Sequence, residues 1–337
     1  MIKFGSSLLA ARPDNASAVE KVGFDSIWVY DHFAPFSHQS GLRDAETGGG
    51  WGALPILPLL LANTTRCVVG TNVLCPTLRY HPAIIAQYFA QLDWLFPGRI
   101  IMGVGAGEAV NETPIVGRFP PYKERMDRLE EAVGLMRKLW SSRDYFNHEG
   151  RYYGSKNLFL YAKPKEKIPI IISAFGEKSA ELAGKVGDGI TIYWTRPQRT
   201  DLILRKFAEA ATKAGKDPET MTKVAYFPFG GLTSNPLPIV RMIKPSLVSS
   251  RASLHETDPR KIDEMAKTLS DEEALQYCTL VPTADDLIGV FDSALKTGTN
   301  HIIIRDLTPI FIQNKLSPPE AAGWPLKVLL YLREKYK

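Results

Sequence analysis

Ile100-Ile101-Met102-Gly103-Val104-Gly105-Ala106-Gly107-Glu108 decides between two folds. An apolar strand runs into glycines at alternate positions and ends on an acid. In an open doubly wound sheet that binds a dinucleotide, a Gly-x-Gly-x-x-Gly turn follows the first strand. Here the glycines sit in the fourth predicted strand, and the pattern fails at its last position, Glu108. The alternative is a (β/α)8 TIM-like barrel, in which such a strand end opens onto a site.

Outward from this stretch, apolar β-rich runs at 2–4, 26–30, 67–71, 100–104, 170–173, 189–193, 224–227 and 301–304 alternate with amphipathic helical patterns. The helices fall at 15–22, 54–62, 82–95, 122–139, 177–186, 200–214, 284–294 and 321–335. Eight strands, each followed by a helix, meet the requirement of the barrel. The chain reads as a single domain over 1–337 with insertion segments at the C-terminal mouth, near 34–52, 141–167 and 228–258. The first and third follow strands two and seven, so they are expected to cover a site.

With 45% apolar and 23% charged residues, disorder and fibrous repeats are excluded. A net charge of +5 over 337 residues implies no nucleic-acid face. Cys67, Cys75 and Cys278 are too scattered for a disulfide framework or zinc site, and a reducing cytoplasm is the natural reading. The first five residues enter an apolar alternating segment without a charged n-region, so no export signal is expected. Gly48, Gly49, Gly50, Pro55 and Pro58 break the uncharged stretch 48–65, which suits a loop entering a helix rather than a membrane span.

In a barrel the informative polar residues hang from strand carboxyl ends. Four places qualify: Asp31 and His32 after strand two, Asn72 after strand three, Glu108 with Asn111 and Glu112 after strand four, and Trp194, Thr195 and Arg196 after strand six. His32 reads either as a general base oriented by Asp31 or as a satisfied loop histidine. Glu108 reads either as a proton-trading group for a heterocycle or as an acid at a helix N-terminus. No second His or Cys stands at ligand spacing from His32, so no metal is expected. Ser173-Ala174-Phe175-Gly176-Glu177-Lys178 joins strand five to a helix whose first N–H groups could hold an anion.

Several stretches together resemble the bacterial luciferase-like superfamily, and within it the coenzyme F420-dependent dehydrogenases of the glucose-6-phosphate and secondary alcohol branches. They are residues 23–33, 70–87, 103–112, 124–125 with 134–140, and 183–189, in one order. The resemblance implies a 5-deazaflavin at the barrel mouth and hydride transfer between an alcohol or hemiacetal carbon and C5 of the ring. It makes His32 the base for the hydroxyl proton, Glu108 the partner of N1 of the ring, and Phe36 the aromatic at the reacting centre. Asp31, Thr71, Asn72, Val73, Cys75, Gly107, Glu108, Asn111 and 173–178 would bind the cofactor, with a non-prolyl cis peptide at Asn72-Val73.

Trp194, Arg196, Arg251 and Tyr277 are the candidate substrate contacts. The Lys and Arg phosphate grip of the sugar-phosphate enzymes is not matched residue by residue, and Tyr277-Cys278 looks closer to the secondary alcohol branch. A methylene-tetrahydromethanopterin reductase-like enzyme, an FMN-dependent monooxygenase and a non-catalytic flavin- or deazaflavin-binding protein are the alternatives. The partner is expected to be a small molecule, not nucleic acid or membrane. The apolar positions near 54–61 and 82–95 suit a homodimer face, as relatives often have.

Overall fold

The computed structural model describes residues 2–7, 13–35, 37–38, 52–252 and 254–336. Its strands are β1 (Lys3–Ser7), β2 (Ser26–Val29), β3 (Val68–Thr71), β4 (Ile100–Val104), β5 (Phe146–His148), β6 (Ser155–Leu158), β7 (Ile170–Ala174), β8 (Gly189–Tyr193), β9 (Thr222–Leu232), β10 (Thr279–Val281) and β11 (His301–Asp306). β1, β2, β3, β4, β7, β8, β9 and β11 pair in that order, all parallel, and β11 returns to β1. The ring therefore closes, as the eightfold alternation predicts, and sheet edges disappear from it. β10 adds to the far end of β9, pairing Thr279 with Gly230 and Val281 with Leu232.

The helices are α1 (Pro13–Val22), α2 (Ala53–Ala62), α3 (Pro82–Leu95), α4 (Ala109–Val116), α5 (Tyr122–Ser141), α6 (Glu177–Val186), α7 (Pro197–Lys213), α8 (Leu237–Ala252), α9 (Pro259–Thr268), α10 (Asp271–Leu275), α11 (Ala284–Lys296), α12 (Thr308–Gln313) and α13 (Trp324–Lys335). Strand residues face two cores in alternation. Trp28, Ile101, Ile171, Val224 and Ile303 fill the barrel interior. Their neighbours face outward, where the strand exteriors pack on the helices in two larger clusters. Inside, Trp28 Nε1 donates to Ser26 Oγ at 2.8 Å, and that hydroxyl lies 2.8 Å from His301 Nε2. Burial drives the His301 pKa down to about 3, so the interior gains no charge.

Two insertions differ in place. The 228–258 segment contains α8, one of the helices the pattern did not predict; Pro245 inside it interrupts the periodicity. Phe229, Ser246, Leu254 and His255 of this segment line the mouth cavity. Residues 141–167 do not: they form the β5–β6 hairpin along the outside of α5, where Glu131 accepts from the backbone N–H of Tyr152 and Tyr153. The Lys138 ammonium lies 4.3 Å from the Phe146 ring centre on the same face. Most of 34–52 falls outside the described residues.

The glycines of the opening stretch have a steric cause. A Cβ on Gly103 would lie 1.9 Å from the Thr71 carbonyl oxygen, which is backbone and cannot yield. Gly103→Ala is therefore expected to cost about 3 kcal/mol or more in chemical denaturation. Gly134→Ala, in the middle of α5 with open space around it, should instead stabilise by about 0.5–1 kcal/mol. Equal midpoints for the two variants would contradict this packing.

Candidate functional site

The carboxyl ends of the strands surround a cavity of about 560 Å³. That is the size of a small-molecule site. Its walls bring together Tyr30, Asp31 and His32 from the end of β2, Asn72, Val73 and Cys75 after β3, and Gly105 to Glu108 after β4. Ser173, Phe175 and Gly176 close one side, and Arg305 at the end of β11 stands with Phe229 on another.

Asn111, in the first turn of α4, organises the reactive corner. Its Oδ1 accepts the backbone N–H of Phe33 at 2.9 Å and of Ala34 at 3.0 Å, so the amide orientation is fixed by its partners. Its Nδ2 then donates to Glu108 Oε2 at 2.8 Å and lies 3.2 Å from His32 Nδ1. His32 Nε2 faces Glu108 Oε2 at 3.6 Å. The Ala34 carbonyl is 3.4 Å from Nδ1. Burial lowers the His32 pKa below its ordinary value, and the Glu108 carboxylate opposes that shift. A neutral imidazole at pH 7 follows.

Asp31 lies deeper and its oxygens are already engaged. Oδ1 accepts Ala53 N–H at 2.8 Å, and Oδ2 takes a short charged contact from the Arg79 guanidinium. Arg79 Nη2 also donates to the Asp31 carbonyl at 2.9 Å, and its Nε is 3.4 Å from Glu112 Oε1. Both acids and the guanidinium are buried, so the cluster braces the loop after β2 against α4. Burial pushes the Glu112 pKa up to about 7, against the pull of Arg79. Sequence reasoning noted Glu112 only as a neighbour of Glu108 and gave Arg79 no role.

Beside Glu108, Val73 and Cys75 pack directly on the 105–107 backbone. A Cβ on Gly105 would meet Val73 Cγ2 at 2.8 Å, and one on Gly107, where φ is +80°, would meet Cys75 Sγ at 2.8 Å. The Asn72-Val73 peptide is cis, as the family resemblance implied. Thr191 Oγ1 donates to Asn72 Oδ1 at 3.1 Å, fixing that side chain from across the mouth.

The expected site is therefore assembled in most of its parts, with several displacements. Thr71 is buried in its strand with its hydroxyl on the Gly103 carbonyl, 2.7 Å away. Ala174 faces the outer core, because only Ser173 shares the inward phase of β7. Glu177 and Lys178 are exposed; Lys178 lines an outer groove between α5, α6 and α7 rather than the mouth. The N–H groups of Phe175 and Gly176, just before α6, both donate to Ser179 Oγ at 3.2 Å.

The substrate side departs further. Trp194 is buried in the outer core against Phe227, one residue out of phase with Tyr193, which does face the mouth. Arg196 is exposed at the start of α7, and Tyr277 packs in the cluster under α8. Phe36 and the side chain of Arg251 lie outside the described residues. The expectation missed Tyr30, Tyr226, Phe229, Arg125 and Arg305 on the cavity wall. Tyr30 and Arg305 end their strands and were within reach of the strand-end rule.

The family model described as luciferase-like monooxygenase matches residues 8–230. F420-dependent glucose-6-phosphate dehydrogenase of Segniliparus rotundus is 36% identical over 296 residues, covering 86% of this chain and 85% of that protein. The enzyme of the same name from Microbacterium testaceum is 33% identical over 294 residues, 85% and 84% of the two chains. Among solved structures, an F420-dependent secondary alcohol dehydrogenase in complex with an F420-acetone adduct superposes with a TM-score of 0.85. It is 29% identical and 97% of each chain is covered. A coenzyme F420 dependent tetrahydromethanopterin reductase from Methanopyrus kandleri, at 19% identity and a TM-score of 0.70, shares the fold.

The His32 environment sets a pH dependence. With its folded pKa depressed, the unfolded chain binds the proton more readily, so this residue's contribution to stability is lost as pH falls below about 6.5. The His32 ring resonance is expected to titrate below 6.5 by NMR, and Glu108→Gln should lower the midpoint further by removing the opposing charge. A midpoint at or above 6.5 in the native protein would contradict this burial.

Proposed function

The chain belongs to the luciferase-like monooxygenase family, and from that premise we propose that it is a coenzyme F420-dependent dehydrogenase acting on a CH–OH group. The observation that carries the reading is the His32–Asn111–Glu108 corner beside the apolar wall of Val73, Cys75 and the 105–107 backbone. A flat heterocycle fits such a wall: Val73 and Cys75 pack closely against Gly105 and Gly107 to give a low apolar surface, and Glu108 stands at its margin. Relatives named as F420-dependent dehydrogenases align over most of the chain, which supports the same cofactor.

Coenzyme F420, when bound, supplies a two-electron hydride acceptor. The protein then has two proton tasks. His32 Nε2 accepts the hydroxyl proton as the alcohol carbon is oxidised, and its buried, neutral state keeps it a competent base at pH 7. Glu108 holds or releases the proton exchanged with the ring nitrogen, its carboxylate oriented by Asn111 Nδ2. Asp31 acts indirectly by pinning the His32 loop to Ala53 and Arg79. The same machinery runs in reverse to reduce a carbonyl, so direction depends on supply.

The chain is further read as one domain that pairs with a second copy in a reducing cytoplasm. Ile84 and Leu95 lie on one face of α3 and are exposed, with Leu59 of α2 also exposed. Cys67, Cys75 and Cys278 are all free thiols. Light scattering should give twice the chain mass, and Ile84→Glu with Leu95→Glu should halve it; a monomeric native protein would contradict the pairing.

His32→Ala is expected to lower kcat by about 10²–10⁴-fold while F420 still binds, measured by steady-state reduction of F420 and by equilibrium fluorescence. Glu108→Gln should slow turnover and alter its pH profile with smaller loss of substrate affinity. Near-native kcat in His32→Ala would overturn the assignment of the base.

A further inference from the structure

Arg305 stands on the wall of the mouth with no counter-ion among the described residues. It follows Ile304 in β11, lines the cavity, and its Nε is buried with no hydrogen-bond partner. Among the described residues no carboxylate oxygen forms an ion pair with it. The three acids that share the cavity wall are engaged elsewhere: Asp31 and Glu112 by Arg79, and Glu108 by Asn111. Asp306, its neighbour in sequence, is turned away; its carboxylate accepts from Thr308 N–H at 2.9 Å and from Trp324 Nε1 at 3.0 Å.

What Arg305 does touch is aromatic. Its guanidinium carbon lies 5.7 Å from the ring centres of both Tyr30 and Phe229. These contacts fix the plane of the guanidinium without neutralising it. On its other side Tyr30 meets the His32 ring edge-on, 5.6 Å between centres. The base and the Arg305 cation therefore stand one aromatic ring apart, facing the same cavity. Arg305 is half-buried with its Nε buried and unbonded, so an oxyanion entering the cavity would satisfy a donor that water does not reach.

We propose that Arg305 is the anchor for an acidic group on the substrate, a carboxylate or a phosphate, carried on the same molecule as the hydroxyl presented to His32. This rests on the dehydrogenase reading and narrows it to acidic alcohols. A guanidinium binds either oxyanion as a two-pronged donor, which fixes orientation as well as affinity. The anchor lies at the end of β11, apart from Arg196 on the outer surface and from Tyr277 in the packed cluster.

The test has two arms. In the first, the protein without added F420 is titrated with inorganic phosphate and with acetate, followed by tryptophan fluorescence. Saturable binding weakened at least tenfold by Arg305→Gln supports the anchor, and the preferred ion tells phosphate from carboxylate. Absent binding, or binding unchanged in Arg305→Gln, overturns it.

In the second, F420 reduction is compared for glucose 6-phosphate and lactate against glucose and 2-propanol. Arg305→Gln should raise KM for an acidic alcohol by at least tenfold, and far more than for its neutral counterpart. Arg305→Lys should recover part of the loss and guards against a misfolded variant. Equal losses for acidic and neutral alcohols would make Arg305 merely structural and overturn the proposal. If no alcohol reduces F420, the dehydrogenase reading fails, while the ion titration still decides on Arg305.

Discussion

Closure of eight parallel strands into one ring is the constraint on which everything else in this protein depends. Parallel strands share a direction, so closure gathers eight carboxyl ends around one opening and sends every connecting helix to the outside. Residues far apart in the chain, such as Tyr30, Gly107, Thr191 and Arg305, meet there without any of their own elements having to bend toward a site. The ring is tight enough at β3 and β4 that Gly103 admits no Cβ, and the same glycine-rich run continues into the cavity wall beside Glu108.

Upon that frame the reactive corner is held by polar contacts of two kinds. Asn111 reads backbone on one side and orients the acid and the base on the other. Behind it the Asp31–Arg79–Glu112 cluster is buried and ion-paired, which gives rigidity to the loop bearing His32. Removing one member of such a cluster leaves a buried charge behind, so its members act as a unit. Binding and positioning are thus separated: an apolar wall of Val73 and Cys75 lies on one side, and the groups that move protons stand at its edge.

The sequence announced this fold with unusual clarity because strands buried on both faces read as short apolar runs, and all eight lie where expected to within a few residues. What it hid has physical causes. Pro245 and Pro114 inside α8 and α4 break the helical pattern there. The phase of alternation separates Ser173 from Ala174 and Tyr193 from Trp194, and a strand-end rule that ignores phase takes both members of each pair. Arg305 directly follows the expected end of strand eight at Ile304, so the strand-end rule reached it although it was not weighed as a site candidate. His32, Glu108 and Asn111 were legible because each ends a strand or opens the helix that follows it.

The central claim is that this apolar wall holds a deazaflavin and that the corner beside it oxidises an alcohol. A fluorescence titration of the purified protein with coenzyme F420 and, in parallel, with FMN measures it most directly, followed by addition of an alcohol to the complex. The account predicts preferential F420 binding and loss of the bound cofactor's visible band when the alcohol is added. Preferential FMN binding, or a bound F420 whose band no alcohol changes, would contradict it.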